Sequence, residues 1–405
     1  MTASVPSPEF STGEARVGAW FIGARGSLAT TAAVGLFALV RGATPPIGLT
    51  TATPAFDDVP LVDLGRIVVG GHDLYDLPLA VKAAGLAAGG MFPPALVEAV
   101  RSDLDRSDGN LRVVDTSGAT QQEHIDAMAA DIAAFRDRHD LRTVVVVDVS
   151  STEPLPSDHP AFHSEEELRR ALSDPDLRLL PPSSIAAAAA VAAGAAYAGF
   201  TPSAGLNLPV LRDRARAAGI PFAGQDGKTG ETLLRTVLAP MFTARNLKVL
   251  SWAGTNLLGG GDGATLADPE AVRSKLVSKN RGLHSLVGDD VVAPLHIDNV
   301  PDLGDVKTAW DHINAVGFLG SRVTLQTTWS AYDSTLAAPL ILDLVRVLAL
   351  ASAAGQSGAV AELGCFFKDP WGSTVHAFAD QTAAYISWAQ RTGVLVRLAE
   401  EVSAG

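Results

Sequence analysis

The sequence of 405 residues contains little cysteine and little lysine, and its charge is strongly unbalanced. Its one cysteine, Cys365, excludes an internal disulfide framework and a zinc site built from cysteines. Basic residues number 31 and acidic residues 44, a formal net charge of −13, which argues against a protein that binds nucleic acid or anionic membranes. An anionic ligand would therefore need a local cluster of basic side chains.

The chain also lacks an evident targeting or membrane-spanning segment. Its N-terminus has no basic stretch followed by an apolar run, so we expect no signal peptide and a cytoplasmic location. The most apolar stretch, from Ile185 to Phe200, is 16 residues long, rich in alanine and broken by glycine. It is too short for a membrane span, and we expect a buried helix there.

The chain does have enough apolar sequence for a large core, with 47% hydrophobic and 19% charged residues over a length that suits two domains. Arg16 to Ile22 is an apolar strand, Gly23 to Ala29 a glycine turn and Thr30 to Val40 an apolar helix. The near-continuous β-branched run from Thr143 to Val149 is typical of a parallel strand covered on both faces. We therefore predict an α/β fold with a Rossmann-type nucleotide-binding domain.

The turn after the first strand contains Gly23, Arg25, Gly26 and Ser27. Glycines between a strand and a helix let the backbone approach a pyrophosphate that lies at the helix N-terminus. The spacing differs from the usual G-x-G-x-x-G, so a tight turn in any α/β protein is an alternative. No acidic residue stands at the usual distance to hold a ribose. Asp73, which ends a later strand, is a candidate for that role or for capping the next helix.

The segment from Gly224 to Thr232 reads GQDGKTGET. It is not the phosphate loop of a nucleoside triphosphatase, because Phe222 stands where that motif has its first glycine. Free N–H groups from Thr229 to Thr232, at a helix start, can still cradle a phosphate ester. An ordinary capped helix is the alternative.

Only seven of the 31 basic residues are lysine. Unlike arginine, a buried lysine can lower its pKa and move a proton, although coding bias would also leave a few lysines. Lys275 and Lys279 are four residues apart on one predicted helix face, where a shared anion would offset their repulsion. Lys368 follows an apolar, aromatic run that predicts partial burial. Asp262, in a predicted loop from Asn256 to Gly263, is a candidate cation ligand or a turn residue.

Several of these segments resemble the myo-inositol 1-phosphate synthase family, whose members are also called inositol-3-phosphate synthases. GQDGKTGET and TNLLGGGDGATLADPEAVRSKLVSK are similar to the family's GDDxKSGQT and NHLGNNDGxNLSxPxxFRSKxxSK. GGHDL, GDVK and YDSTLAAPLILDL are similar to GGWDI, GDSK and EDSLLATPLIIDL, and FFKDP stands where the family has its late lysine. GARGSLATT is closer to the shorter bacterial and archaeal members.

The resemblance implies an NAD-dependent isomerase that makes an inositol phosphate from glucose 6-phosphate without net redox change. In that family NAD+ oxidises C5, the ketone acidifies the C6 protons, and an enolate forms. C6 then attacks the C1 aldehyde, and NADH returns the hydride. Lysine can act as the base near the C5 hydroxyl and, when protonated, as the partner of the enolate oxygen, which arginine cannot do.

The resemblance also implies roles for individual residues. The expected catalytic residues are Lys368 as the base at C5, Lys275 as the oxyanion partner, Lys279 and Lys307 on the phosphate side, and Asp226 and Asp333, which hold these lysines. The expected substrate contacts are these four lysines with Lys228, Thr229, Gly230, Thr232, Asn256 and Leu258. The expected cofactor contacts are Gly23, Arg25, Gly26, Ser27, Asp73, Ser150, Ser151, Asp226 and Asp262, with Asp262 also near a divalent or monovalent cation.

The same resemblance implies a domain organisation and leaves the substrate open. The NAD-binding domain comprises residues 12–232 and 333–405, and an inserted α/β domain at 233–332 carries catalysis and joins a homotetramer. Four departures from the family pattern leave the sugar specificity open. They are Gln225 for an acidic residue, GGGDG for GNNDG, VSSTE for WTANTE and Tyr332 for Glu. Fructose 6-phosphate, giving another cyclitol phosphate, would use the same residues. A simple NAD-dependent sugar-phosphate dehydrogenase and a sensor that binds NAD without chemistry are further alternatives.

Overall fold

A seven-stranded parallel sheet forms the centre of a computed structural model that describes residues 15–115, 120–259 and 282–404. Its strands are β1 (Val17–Ile22), β2 (Ile67–Asp73), β3 (Leu111–Val113), β4 (Thr143–Asp148), β5 (Ala196–Gly199), β6 (Pro221–Gly224) and β11 (Gly358–Ala359). They lie in the order β3-β2-β1-β4-β5-β6-β11, which is a doubly wound nucleotide-binding sheet with one strand added. The predicted Rossmann-type α/β fold is confirmed.

Alternate residues of the central strands enter two different cores. In β1, Val17, Ala19 and Phe21 belong to one core, whereas Trp20 and Ile22 belong to the other. The first core is covered by α1 (Ser27–Val40), α2 (Leu79–Ala88), α3 (Pro94–Asp108), α9 (Asp333–Ala353) and α10 (Phe378–Ala404). The second is covered by α4 (Gln121–Arg138), α5 (Glu165–Leu172), α6 (Pro182–Ala192) and α7 (Pro209–Ala217). Because both faces are buried, β1 and β4 are apolar along nearly their whole length.

A smaller, four-stranded sheet is formed by the chain between β6 and α9. Its strands are β7 (Lys248–Leu258), β8 (Leu295–Asn299), β9 (Val306–Val316) and β10 (Arg322–Tyr332). They lie in the order β10-β9-β7-β8, with β9 antiparallel to both neighbours and β8 parallel to β7. Helix α8 (Glu231–Ala244) covers one face, where Phe242, Trp252 and Ile313 are buried together. Residues 282–287 are also helical.

Two expectations for local structure are wrong. The stretch from Ile185 to Phe200 is not one helix, because α6 ends at Ala192, Gly194 adopts a φ of 68° and β5 begins at Ala196. A glycine in the left-handed region ends a helix, and the alanines after it then fit a buried strand. The predicted loop from Asn256 is also wrong at its start, since β7 continues to Leu258 through pairing with β8 and β9.

Helix α9 is a core helix of the larger sheet. Among the described residues it alone is long and apolar enough to cross a membrane, and 67% of its apolar window is buried inside the protein. It packs against α1, β4 and β5. Its buried Asp343 accepts hydrogen bonds from the hydroxyls of Thr50 and Thr51, which join it to the chain after α1.

Candidate active site

The strand order reverses between β1 and β4, and in doubly wound sheets the ligand crevice lies outside the carboxyl ends of the strands at that point. The turn after β1 lies directly against the loop after β4. Gly23 has a φ of 82°, and a Cβ built there would lie 2.9 Å from Cα of Ser150. Both the backbone conformation and the neighbouring loop therefore exclude a side chain at Gly23. This close contact forms the floor of a candidate dinucleotide site.

Helix α1 begins at this turn, and no side chain caps its N-terminus among the described residues. Its N-cap residue is Gly26, and the first turn as described contains no acidic residue. The N–H of Gly26 donates to the carbonyl of Gly23 at 3.0 Å, so the turn is closed by its own backbone. The N–H groups of Ser27, Leu28 and Ala29 are among those that an α-helix leaves without an intrahelical partner, whereas the N–H of Thr30 already donates to Gly26. This helix end fits a pyrophosphate.

Asp73 ends β2 beside the same turn. One carboxylate oxygen accepts the N–H of Arg25 at 2.7 Å, and the other accepts the N–H of Leu74 at 2.7 Å. The guanidinium of Arg25 is held by Asp108 at 2.6 Å and by Asp76 at 3.2 Å. Arg25 therefore contributes its backbone N–H to the turn, while its side chain stabilises the loop after β2.

Two serines follow β4, and they differ in their surroundings. The hydroxyl and the N–H of Ser150 both donate to one oxygen of Asp148, at 2.6 and 3.1 Å, and Tyr197 donates to the other oxygen at 3.2 Å. Burial raises the pKa of Asp148. Ser151 is exposed at the strand end. Sequence reasoning missed Asp148 and Tyr197, and an acid at the end of an apolar strand was the one available signal.

Glu153 is a second acid in this loop, half-buried, that sequence reasoning missed. It accepts hydrogen bonds from the hydroxyl of Ser183 and from its N–H, the latter at 3.3 Å. Ser183 lies in the first turn of α6, so Glu153 caps that helix from outside. Burial raises the pKa of Glu153 to about 7. The first residues after β4 are thus held between two carboxyl groups, Asp148 at the strand end and Glu153 beside α6.

The GQDGKTGET turn and the FFKDP segment meet in a short antiparallel ladder. Gln225 N–H donates to the carbonyl of Asp369 at 2.8 Å, and Lys368 N–H donates to the carbonyl of Asp226 at 2.7 Å. The ladder brings the two side chains together, with 2.7 Å between the Asp226 carboxylate and Nζ of Lys368. Their side chains are 4% and 7% exposed. The predicted burial of Lys368 is therefore confirmed.

Lys228 belongs to the same turn, but its ammonium is directed to helix α10. It donates to Gln381 at 2.5 Å and lies 5.9 Å from the ring centre of Phe378. Burial lowers the pKa of Lys228 to about 8, with a smaller contribution in the same direction from Lys368. Lys228 thus links the turn to the C-terminal helix.

A second acidic residue, Asp333, joins three elements next to the start of α8. Asp333 is the first residue of α9 and accepts the hydroxyl of Thr229 at 2.6 Å. Its other oxygen lies 3.5 Å from Nζ of Lys307, which is on β9. A cation and a hydroxyl are therefore close to a helix N-terminus, which is an arrangement that favours an anion.

The remaining sugar-lining candidates come from β7. Asn256 is fully buried and donates its amide N–H to Glu231 at 2.7 Å. Leu258 is also buried and stands opposite Lys307 in the register of β7 and β9. The two central strands of the small sheet thus carry these residues to the first turn of α8.

Gly230 is the N-cap residue of α8, and Thr232 is buried in its first turn. Three further candidates, Lys275, Lys279 and Asp262, lie outside the described residues, so their roles stay predictions. Within the described ranges, no group of three or more His, Cys, Asp or Glu side chains is placed to hold a metal ion.

The sheet order and the crevice define a Rossmann-type, dinucleotide-binding enzyme with a buried lysine at the same edge of the sheet. A family model described as myo-inositol-1-phosphate synthase matches residues 17–390. The chain is 32% identical to inositol-3-phosphate synthase 1 of Bacteroides thetaiotaomicron, over 92% of each protein. The chain belongs to the myo-inositol-1-phosphate synthase family, whose members bind NAD and are isomerases.

More distant relatives agree on the fold. The chain is 28% identical to inositol-3-phosphate synthase of Drosophila melanogaster over 72% of its own length, and it spans 55% of that longer protein. The crystal structure of inositol-3-phosphate synthase from Caenorhabditis elegans superposes with a TM-score of 0.82 at 23% identity, covering 94% of this chain and 86% of that one. The crystal structure of a myo-inositol-1-phosphate synthase-related protein from Thermotoga maritima superposes with a TM-score of 0.75 at 22% identity, covering 93% of this chain and 98% of that one.

Proposed function

We propose that this protein converts glucose 6-phosphate into an inositol phosphate by oxidation, enolisation, aldol closure and re-reduction. The observation that carries the proposal is the buried ion pair of Lys368 and Asp226, at the carboxyl edge of the parallel sheet and beside the turn that begins α8. A lysine that can move a proton next to a dinucleotide crevice is what an isomerase with an internal redox step requires.

The dinucleotide is held, in this proposal, by the turn from Gly23 to Ser27, by Asp73 and by the loop with Ser150 and Ser151. The uncapped N-terminus of α1 fits the pyrophosphate, and the Asp73 carboxylate at the end of β2 fits a ribose hydroxyl. When bound, NAD accepts a hydride from the sugar and later returns it, so that no net redox change occurs.

Lys368 is the acid and base at C5. It removes the proton of the C5 hydroxyl during oxidation, and its protonated form then stabilises the C5 oxygen when C6 loses a proton. Asp226 holds Nζ in place and balances its charge in the protonated state. Arginine could not replace Lys368, because a guanidinium does not give up its proton in a protein.

The phosphate binds at the N-terminus of α8 in this proposal. Thr229, Gly230 and Thr232 provide the turn and its N–H groups, and Lys307 supplies a positive charge that Asp333 orients. The main chain of Lys228 belongs to the same turn. Asn256 and Leu258 line the sugar from β7.

Further parts of the proposal are supported by the family pattern. By the family motif, Lys275 is assigned to the oxyanion, Lys279 to the phosphate, and Asp262 to the nicotinamide and a divalent or monovalent cation. We place the boundaries of the inserted domain at residues 233 and 332.

We also propose a homotetramer in the cytoplasm. Helix α8 covers one face of the small sheet, whereas the other face of β9 leaves Trp310 40% exposed, which fits a subunit contact. The cytoplasmic location is proposed because NAD and the hexose phosphate are both charged small molecules that do not cross membranes unaided.

The decisive variant for the catalytic proposal is Lys368→Arg. We expect it to bind NADH within twofold of the wild-type affinity and to lose turnover by roughly 10²- to 10⁴-fold, the usual contribution of a general acid–base group. NADH fluorescence measures binding, and NMR of the product measures turnover with glucose 6-phosphate and fructose 6-phosphate in parallel. Near-normal rates with Lys368→Arg would refute the base assignment.

A further inference from the structure

A buried charged cluster lies directly behind the turn that begins α8. It consists of Glu231 and Arg235 on α8 and Asp311 on β9, and each residue is 2% exposed or less. Nη2 of Arg235 lies 2.5 Å from Oε1 of Glu231 and 3.2 Å from Oδ1 of Asp311. Trp252 donates to that same oxygen of Asp311 at 2.8 Å. Burying three charges costs free energy, so a cluster of this kind calls for a functional reason.

Glu231 uses its two carboxylate oxygens for different partners. Oε1 faces Arg235, whereas Oε2 accepts a hydrogen bond from Nδ2 of Asn256 at 2.7 Å. Asn256 lies on β7, and Arg235 in turn contacts Asp311 on β9. The first residue of α8 is therefore joined to both strands that carry candidate substrate contacts.

The backbone of β7 leaves space for this cluster at Gly254. A Cβ built there would lie 2.7 Å from Nη2 of Arg235 and 2.7 Å from Oε1 of Glu231. Gly254 stands opposite Asp311 in the register of β7 and β9. Its φ is not among the positive values that require glycine. A Cβ would also lie 3.0 Å from Cδ1 of Leu295, so the ion pair and this leucine together leave no space for a side chain at Gly254.

We propose that Glu231 is a positioning residue for hexose-phosphate turnover. It fixes the orientation of the Asn256 amide and the register of the first turn of α8 against β7 and β9. Because Nδ2 of Asn256 donates to Glu231, the carboxylate fixes which end of the amide is the donor and which is the acceptor. This inference rests on the proposed function, since it concerns residues that line the sugar and its phosphate.

The family motif GDDxKSGQT has glutamine at the position of Glu231, but in this chain Glu231 lies beside Arg235 and accepts a hydrogen bond from Asn256. Arg235 and Asn256 both present N–H donors, so each needs an acceptor, and a carboxylate offers two oxygens where an amide offers one. In Glu231→Gln either the Arg235 contact or the Asn256 contact must be lost. A misplacement of about 1 Å near reacting groups lowers turnover by up to roughly 100-fold.

The test compares Glu231→Gln, Asn256→Ala and their double mutant in kcat/KM for glucose 6-phosphate. Glu165→Gln is the matched control, because it breaks a surface pair with Arg214 far along the sequence from the site. We expect each site variant to lose tenfold or more in kcat/KM and to bind NADH normally. We expect kcat/KM of the double mutant to be no lower than that of the less active single mutant, because Glu231 acts through Asn256.

Gly254→Ala provides a second, independent variant that removes no charge. Its methyl group would displace the ion pair, so we expect a loss in kcat/KM similar to that of Glu231→Gln, with NADH affinity again unchanged. Losses that multiply in the double mutant, or a Gly254→Ala enzyme that folds with normal kcat/KM, would overturn the positioning role. If wild-type protein forms no cyclitol phosphate, the proposed function itself fails, and this inference fails with it.

Discussion

Nζ of Lys368 lies 2.7 Å from the carboxylate of Asp226, although the two residues are 142 positions apart in the chain. Two segments without regular secondary structure make this contact, and their backbones are hydrogen-bonded to each other on either side of it. Because both side chains are almost fully buried, each compensates the charge of the other. In the proposed mechanism the pair therefore contributes both to stability and to catalysis.

Removing the carboxylate of Asp226 should lower both the stability of the protein and its turnover. In Asp226→Asn the Lys368 ammonium stays buried without a charge partner, so we expect the free energy of unfolding to fall by about 3–5 kcal/mol. We expect turnover to fall by at least roughly 100-fold. Urea denaturation and product formation are the measurements. Asp213→Asn, which breaks an exposed pair with Arg216, should change neither.

The phosphate site should respond differently from the dinucleotide site. Lys307→Met removes a charged donor next to Asp333, so we expect KM for glucose 6-phosphate to rise roughly tenfold to a hundredfold. Thr229→Val, which loses one hydrogen bond, should have a smaller effect of about fivefold. NADH affinity, measured by fluorescence, should stay within twofold for both. A loss of NADH binding equal to the loss in KM would show that the two sites are not separate.

Asp73 should set the preference for NAD over NADP. Its carboxylate lies at the end of β2, where an acid repels a ribose 2′-phosphate. We expect Asp73→Ser to weaken NADH binding roughly tenfold to a hundredfold and NADPH binding less. The ratio of NADH affinity to NADPH affinity should therefore fall. Asp76→Asn is the control, since Asp76 is mostly exposed and contacts only the Arg25 side chain among the contacts described. Equal weakening for both dinucleotides would mean that Asp73 only stabilises the turn.

The Rossmann-type fold could be predicted because the polarity of each strand and helix reflects its own burial. The run from Thr143 to Val149 is β-branched at every position except Asp148, and burial on both sheet faces follows from that pattern. The end of β7 could not be predicted in the same way. Asn256 favours turns by itself, and only the pairing of β7 with β8 and β9 makes it a strand residue.

The candidate site was predictable only where a family motif marks it. Lys368 and Asp226 stand in such motifs, so their proximity could be expected. Within the buried cluster only Glu231 stands in such a motif. Arg235 and Asp311 do not, and Asp311 is 76 residues from Arg235 and reads as a polar residue in a strand. Long-range partners of this kind come from packing α8 onto the small sheet, which no local pattern specifies.

Glu153 should make stability depend on pH. Its pKa is raised from 4.5 to about 7 in the folded protein, so the folded state binds this proton more tightly than the unfolded chain. Its contribution to stability is therefore lost as the pH rises from about 4.5 to about 7. Glu153→Gln has no such titration and can still accept the Ser183 hydrogen bonds through its amide oxygen. Relative to wild type, we expect it to gain up to about 3 kcal/mol in stability between pH 5 and pH 8. Urea denaturation at the two pH values checks this, and an equal difference at both would refute the raised pKa.

The most direct test of the cyclase function uses glucose 6-phosphate carrying deuterium at C5, with NAD+ at a concentration well below that of the sugar. The hydride taken from C5 must return to the same carbon, so we expect an inositol phosphate that retains its deuterium, with many turnovers per NAD+ and no build-up of NADH. NMR of the product and NADH absorbance report both. NADH formed in proportion to sugar consumed, with deuterium left on the cofactor, would contradict the cyclase and show a simple dehydrogenase.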